Sequence, residues 1–159
     1  MAGKATKAAE NAFYIARMEA AAFNDNFNSR EGASEVLGID RTRLARIELG
    51  SLNPYPEEVM LMADAYNAPE LGNYHCSRQC PLGKQTVPRI EVADLDRLTI
   101  QILSSFQRID HIKDILIDIT ADGIIDMEER PKLKQVMAAL DMISANAQSL
   151  KLWAEKTLK

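Results

Sequence analysis

The sequence predicts an all-α protein in two parts, five short helices followed by a long antiparallel helical hairpin. Three observations predict it. Between residues 11 and 74, apolar residues at helical spacing fall in short runs, each bounded by capping or turn residues. Beyond residue 94, two runs place apolar residues alternately three and four apart for more than three heptads each. Between those runs stands Asp122-Gly123, a strong turn signal.

Residues 1–10 are small and polar and are expected to fray. From Asn11 to Phe23 the apolar positions Phe13, Ile15, Ala16, Met18 and Ala22 suit a helix, and "NDNFN" (24–28) is turn chemistry. Ser29 can cap a helix from Arg30 to Leu37, which Gly38 ends. Asp40 can cap the next, from Arg41 to Leu49, which Gly50 ends. After the loop "SLNPYP", Pro56 suits the first turn of a helix running to Tyr66, with Asn67 as the stop. A short helix over Pro69–Tyr74 completes the first domain, residues 1–74. "HCSRQCPLGKQTVP" (75–88) has mixed polarity and two prolines, and reads as a linker.

Residues 89–159 form the hairpin. Its first helix repeats Leu95, Leu98, Ile102, Ile109, Ile112, Leu116 and Ile119, with Ser105 breaking the heptad. Its second repeats Leu133, Val136, Leu140, Ile143, Ala147, Leu150 and Ala154. A 28-residue helix is roughly 42 Å long at 1.5 Å per residue. Ile100, Leu103, Phe106, Ile115 and Ile117 widen the apolar stripe beyond what one partner helix covers. The hairpin is therefore expected to pack on a second copy or on the N-terminal domain.

The composition is that of an ordinary globular chain, 47% apolar with a net charge of -4. Up to Pro88 there are nine Lys/Arg and eleven Asp/Glu; beyond it, ten and twelve. Neither half is basic, so any affinity for nucleic acid has to come from a local cluster, and Arg30, Arg41, Arg43 and Arg46 form the obvious one. No stretch of 18 apolar residues predicts a membrane span, and the N-terminus lacks the pattern of a signal peptide. A cytoplasmic location is the expectation. Two cysteines, Cys76 and Cys80, are too few for a disulfide framework.

Placed on a helical wheel, Arg41–Leu49 turns Leu44 and Ile47 to one side and Thr42, Ala45, Arg46 and Leu49 to the other. Arg41 stands at the N-terminal end and Arg43 on a flank. Upstream, Ala33, Ser34 and Leu37 offer a small inner face, Gly38 permits a tight turn, and Ile39 plugs the junction. Two short helices locked at a steep angle, one presenting its N-terminal end and outer face, are what a helix-turn-helix requires. An arginine so presented can grip O6 and N7 of a guanine, worth about 1–3 kcal/mol of discrimination, while flanking arginines neutralise phosphates.

"SREGASEVLGIDRTRLARIELGSLNP" (29–54) resembles the helix-turn-helix of the phage-repressor-like, or xenobiotic-response-element (XRE), family of regulators. Ser29, Ala33, Ser34, Gly38, Ile39, Arg46, Ile47, Glu48, Gly50, Asn53 and Pro54 stand at positions matching that family's pattern. The chain departs from it with Ala33 for leucine, Ser34 for alanine, and Arg30 where a glutamine often meets a phosphate. The likeness covers about residues 11–74 and stops short of the hairpin. It implies a five-helix DNA-binding domain of the phage-repressor type, with Arg41, Thr42 and Arg46 on base-reading positions and Arg30 and Arg43 nearer the backbone. It also implies that Glu48 pairs with an arginine of the first helix, for which Arg17 is the candidate.

Two segments invite a metal. His75, Cys76 and Cys80 could supply part of a zinc site, but no fourth ligand is local and the spacing is not a two-residue gap; free thiols are the alternative. "DITADGIIDMEE" (118–129) matches several positions of a calcium loop. However, Thr120 is a weak ligand, Pro131 follows at once, and a tight hairpin is not a splayed helix pair. A capped turn is expected there, with Asp126 and Glu129 as a capping box, and no cofactor is expected. There is no nucleophile–base constellation and no phosphate-binding glycine loop. His75 and His111 are far apart in sequence, so an enzyme is not expected. The expected partner is double-stranded DNA, bound by a homodimer formed through the hairpin. A protein-interaction module on the same fold, possibly metal-responsive, is the alternative.

Overall fold

The computed structural model describes residues 7–159; residues 1–6, part of the stretch expected to fray, lie outside the described residues. Among the described residues all regular structure is helical, with eight α-helices and two 3₁₀ turns. The chain divides into two compact units, residues 1–89 and 90–159.

The first unit opens with a 3₁₀ turn, Lys7–Glu10, where fraying was expected; Ala8 is buried there. Helix α1 (Ala12–Ala20) begins at Asn11, whose side chain accepts the amides of Phe13 and Tyr14 and donates to the Ile47 carbonyl at 3.1 Å. A second 3₁₀ turn, Asp25–Asn28, buries Phe27 edge-on against Tyr66, ring centroids 5.0 Å apart. Helices α2 (Arg30–Leu37) and α3 (Arg41–Glu48) start at Ser29 and Asp40, which accept the amides of Gly32 and Arg43 at 3.0 and 2.9 Å. Helix α4 (Pro56–Ala65) has proline in its first turn, where the missing amide costs nothing.

Helix α5 (Glu70–Arg78) runs past Tyr74, and the short α6 (Gly83–Thr86) follows. Residues 75–88, expected as a linker, thus carry half of α5 and all of α6 and belong to the first unit. Ser77 and Gly83 are buried within it. The core of this unit collects one face of each of α1 to α5, centred on Phe13, Leu44, Ile47, Val59, Met62 and Leu71.

The second unit is α7 (Leu95–Ile119) and α8 (Arg130–Thr157). They run antiparallel: Asp118 meets Lys132, Arg108 meets Met142, and Ser105 meets Asn146. The Asn146 amide donates to the Ser105 hydroxyl at 2.6 Å and to the Gln101 carbonyl at 3.3 Å, a polar layer across the pair. In the turn between the helices the expected Asp126–Glu129 box forms one turn ahead of α8, whose own N-cap, Glu129, makes no side-chain cap bond. Asp126 accepts the amides of Glu128 and Glu129, and Glu129 accepts that of Asp126. Only one line of the α7 heptad is sealed, Leu98, Ser105, Ile112 and Ile119; on α8, Val136 and Ser149 are buried. A single partner helix covers one stripe, so the second heptad position is only partly covered: Ile102 and Leu116 are half-buried, Leu95 and Ile109 exposed.

Candidate nucleic-acid interface

Helix α3 is fixed by the turn before it and the ion pair behind it. Gly38 is left-handed (φ 67°) and its amide bonds to the Ser34 carbonyl at 2.9 Å. A left-handed residue there is cheap only without a Cβ. The Ser34 hydroxyl closes the same turn by donating to the Ile39 carbonyl at 2.6 Å. Ala33, Leu37 and Ile39 are buried at the junction, and α3 turns Leu44, Ile47 and Glu48 inward.

Glu48 is fully buried. Arg17 reaches it from α1 with two parallel bonds, Nε–Oε1 at 2.6 Å and Nη2–Oε2 at 3.1 Å, while its Nη1 donates to the Phe27 carbonyl at 2.7 Å. Burial alone would lower the Arg17 pKa, but the hydrogen bond and charge of Glu48 outweigh it and hold the guanidinium charged. The Tyr66 hydroxyl is also buried, with no hydrogen-bond partner among the described residues. Burial, aided by the charge of Glu48, pushes its pKa well above the ordinary tyrosine value.

The outer side of α3 carries Arg41, Thr42 and Arg46, all exposed. Arg46 forms no ion pair among the described residues. Arg41 meets Glu31 at 3.0 Å, with both side chains about two-thirds exposed; such a pair is worth at most about 1 kcal/mol and opens readily.

The other two arginines are engaged within their own chain. Arg30, expected on a phosphate, donates from Nε to Glu48 Oε2 at 2.7 Å and leaves only a third of its side chain exposed. Arg43, expected near the DNA backbone, forks onto Glu58 of α4 through Nε and Nη2 and lies over the Tyr55 ring, 4.3 Å from its centroid. Glu58 also accepts the Tyr55 amide at 2.7 Å. The bonds from Arg43 hold the Glu58 carboxyl below the usual carboxylate range, and Glu58 in turn raises Arg43. Both arginines therefore sit on carboxylates of their own chain.

Nothing in the sequence flagged this clamp. Glu58 reads as an ordinary first-turn acid after Pro56, and an arginine fork fifteen positions away leaves no local pattern. The proposed zinc ligands do not assemble either. His75 Nδ1 lies 2.9 Å from Gln79 Oε1, Cys80 Sγ accepts the Gly83 amide, and both thiols are free. Among the described residues no three or more His, Cys, Asp or Glu side chains converge as metal ligands, in 75–80 or in 118–129. Among the described residues no helix is long and apolar enough to cross a membrane. Comparison with protein-family models, curated proteins and solved structures finds no match to this chain.

Proposed function

We propose that the chain is a sequence-specific DNA-binding transcriptional regulator, acting as a dimer on a palindromic site with α3 in the major groove. The α2–turn–α3 pair is read as the helix-turn-helix. The observation that carries this reading is the division of α3: Leu44, Ile47 and Glu48 are locked inside while Arg41, Thr42 and Arg46 stand outward. Arg41 and Arg46 are long enough to reach guanine edges, and Thr42 suits a close contact near the helix start. Arg30 and Arg43 then act as struts rather than as phosphate contacts. Reading a palindromic site requires two such helices about 34 Å apart, one turn of duplex, and the C-terminal hairpin is the proposed pairing element.

The test is selection of bound duplex from a random pool with the full chain, followed by gel shifts. The expected result is a two-fold symmetric site. Arg41→Ala/Arg46→Ala should weaken binding to it roughly 30-fold or more, two base contacts at about 1–3 kcal/mol each. Unchanged affinity in that variant, or a pool from which nothing is enriched, removes the reading. A protein-interaction module is the second reading, favoured by the carboxylates of Glu31, Glu48 and Glu58, which offset the arginine charge around α3.

A further inference from the structure

One side of the hairpin gathers six exposed apolar residues around a pair of opposite charges. Measured at about 100° per residue from the sealed line Leu98–Ser105–Ile112–Ile119, Leu103, Phe106, Ile109 and Ile117 all fall to one side of it, from about 50° for Ile109 round to about 150° for Leu103 and Ile117. On α8, Met137 and Leu140 fall on the same side of the pair, opposite to the side where Arg108 touches Met142. These six are between 42% and 61% exposed. A large apolar side chain half uncovered leaves on the order of 100 Å² in water. Six of them supply most of the about 800 Å² that each partner contributes to an interface of standard size. In the middle of the patch are two opposite charges, Asp110 and Lys113, both exposed and neither in an ion pair among the described residues.

We infer that this face docks against the same face of a second copy, making an antiparallel four-helix bundle. The two-fold axis crosses α7 between His111 and Ile112. About that axis Asp110 of each copy meets Lys113 of the other, and Phe106 meets Ile117. The register of α8 gives an independent check. Within the hairpin, Arg108 faces Met142 and Asp118 faces Lys132, so a two-fold at that height crosses α8 between Ala138 and Ala139. Met137 of one copy then meets Leu140 of the other. The two exposed apolar residues on this side of α8 thus pair across an axis chosen only from the charges on α7. Such an isologous contact closes at two copies.

The inference rests on the dimeric part of the reading above and needs no DNA. Sedimentation equilibrium of the full chain tests it, with circular dichroism to establish that each variant is folded. The wild type is expected to be a dimer. Lys113→Asp and Asp110→Lys, each setting like charges opposite one another twice, should each raise the dissociation constant at least tenfold. The exchanged variant Asp110→Lys/Lys113→Asp should return to within about threefold of wild type. A wild-type dimer indifferent to either single reversal, or an exchange that fails to restore it, overturns this face and leaves hairpin dimerisation standing. A wild type that stays monomeric at several hundred micromolar overturns both.

Discussion

Glu48 is the residue on which the first unit's polar interior turns, because it holds Arg17 and Arg30 at once. Removing it strands a buried guanidinium. Removing Arg17 leaves Glu48 still bonded to Arg30. Glu48→Gln should therefore destabilise by about 3–5 kcal/mol, and Arg17→Met by clearly less, in urea unfolding of the full chain. Equal losses would mean that Arg30 carries none of the compensation. The Arg17–Glu48 pair was legible through the family likeness. Arg30's share was not, because a long side chain chooses among carboxylates by distance in the folded state.

Glu58 makes a pH-dependent contribution whose sign is fixed. Its carboxyl titrates lower in the folded chain than in the unfolded one, chiefly because Arg43 bonds to it. As pH falls, the unfolded chain takes up the proton first, so the stabilisation present at neutral pH is lost through and below the ordinary glutamate range. The difference between wild type and Glu58→Gln, about 1 kcal/mol at neutral pH for a partly exposed pair, should shrink on acidification in denaturant titrations. The partner, Arg43, stays charged throughout that range and adds no second window.

At the level of elements, starts were easier to read than ends. Asn11, Ser29, Asp40 and Pro56 each act within three residues of a helix start, and all four do what their chemistry suggests. The mixed polarity and two prolines of 75–88 read as a linker, yet the end of α5 packs against α6, where Gly83 abuts the Cys76 backbone, a contact that no local pattern announces. Gly32 shows how contact overrules propensity. Alanine favours a helix interior over glycine by about 1 kcal/mol, but a Cβ there would run into the Asn26 carbonyl, part of the rigid backbone. Gly32→Ala should therefore lower the thermal midpoint, with a net loss of about 1–3 kcal/mol; a rise would mean that the 25–28 turn yields.

Across the whole molecule the two units satisfy their apolar residues differently. The first closes a core drawn from five helices, which is why its periodic runs translated directly into buried positions. The second has two helices and more apolar surface than two helices can cover. The hairpin was accordingly visible in the heptads, whereas the selection of which heptad line becomes sealed depends on partner geometry that a single chain's pattern does not encode. The site was half legible on the same principle. Exposure of Arg41, Thr42 and Arg46 follows from helix phase, but capture of Arg30 and Arg43 follows from tertiary neighbours.

That capture has an outcome for how the protein would travel. With two guanidinium groups already neutralised internally and an acidic chain around them, little long-range attraction is left to hold it on arbitrary duplex. On the proposed DNA-binding reading it would spend its time in solution between brief collisions instead of sliding along the polymer, and would pause only where the grooves match what Arg41, Thr42 and Arg46 present.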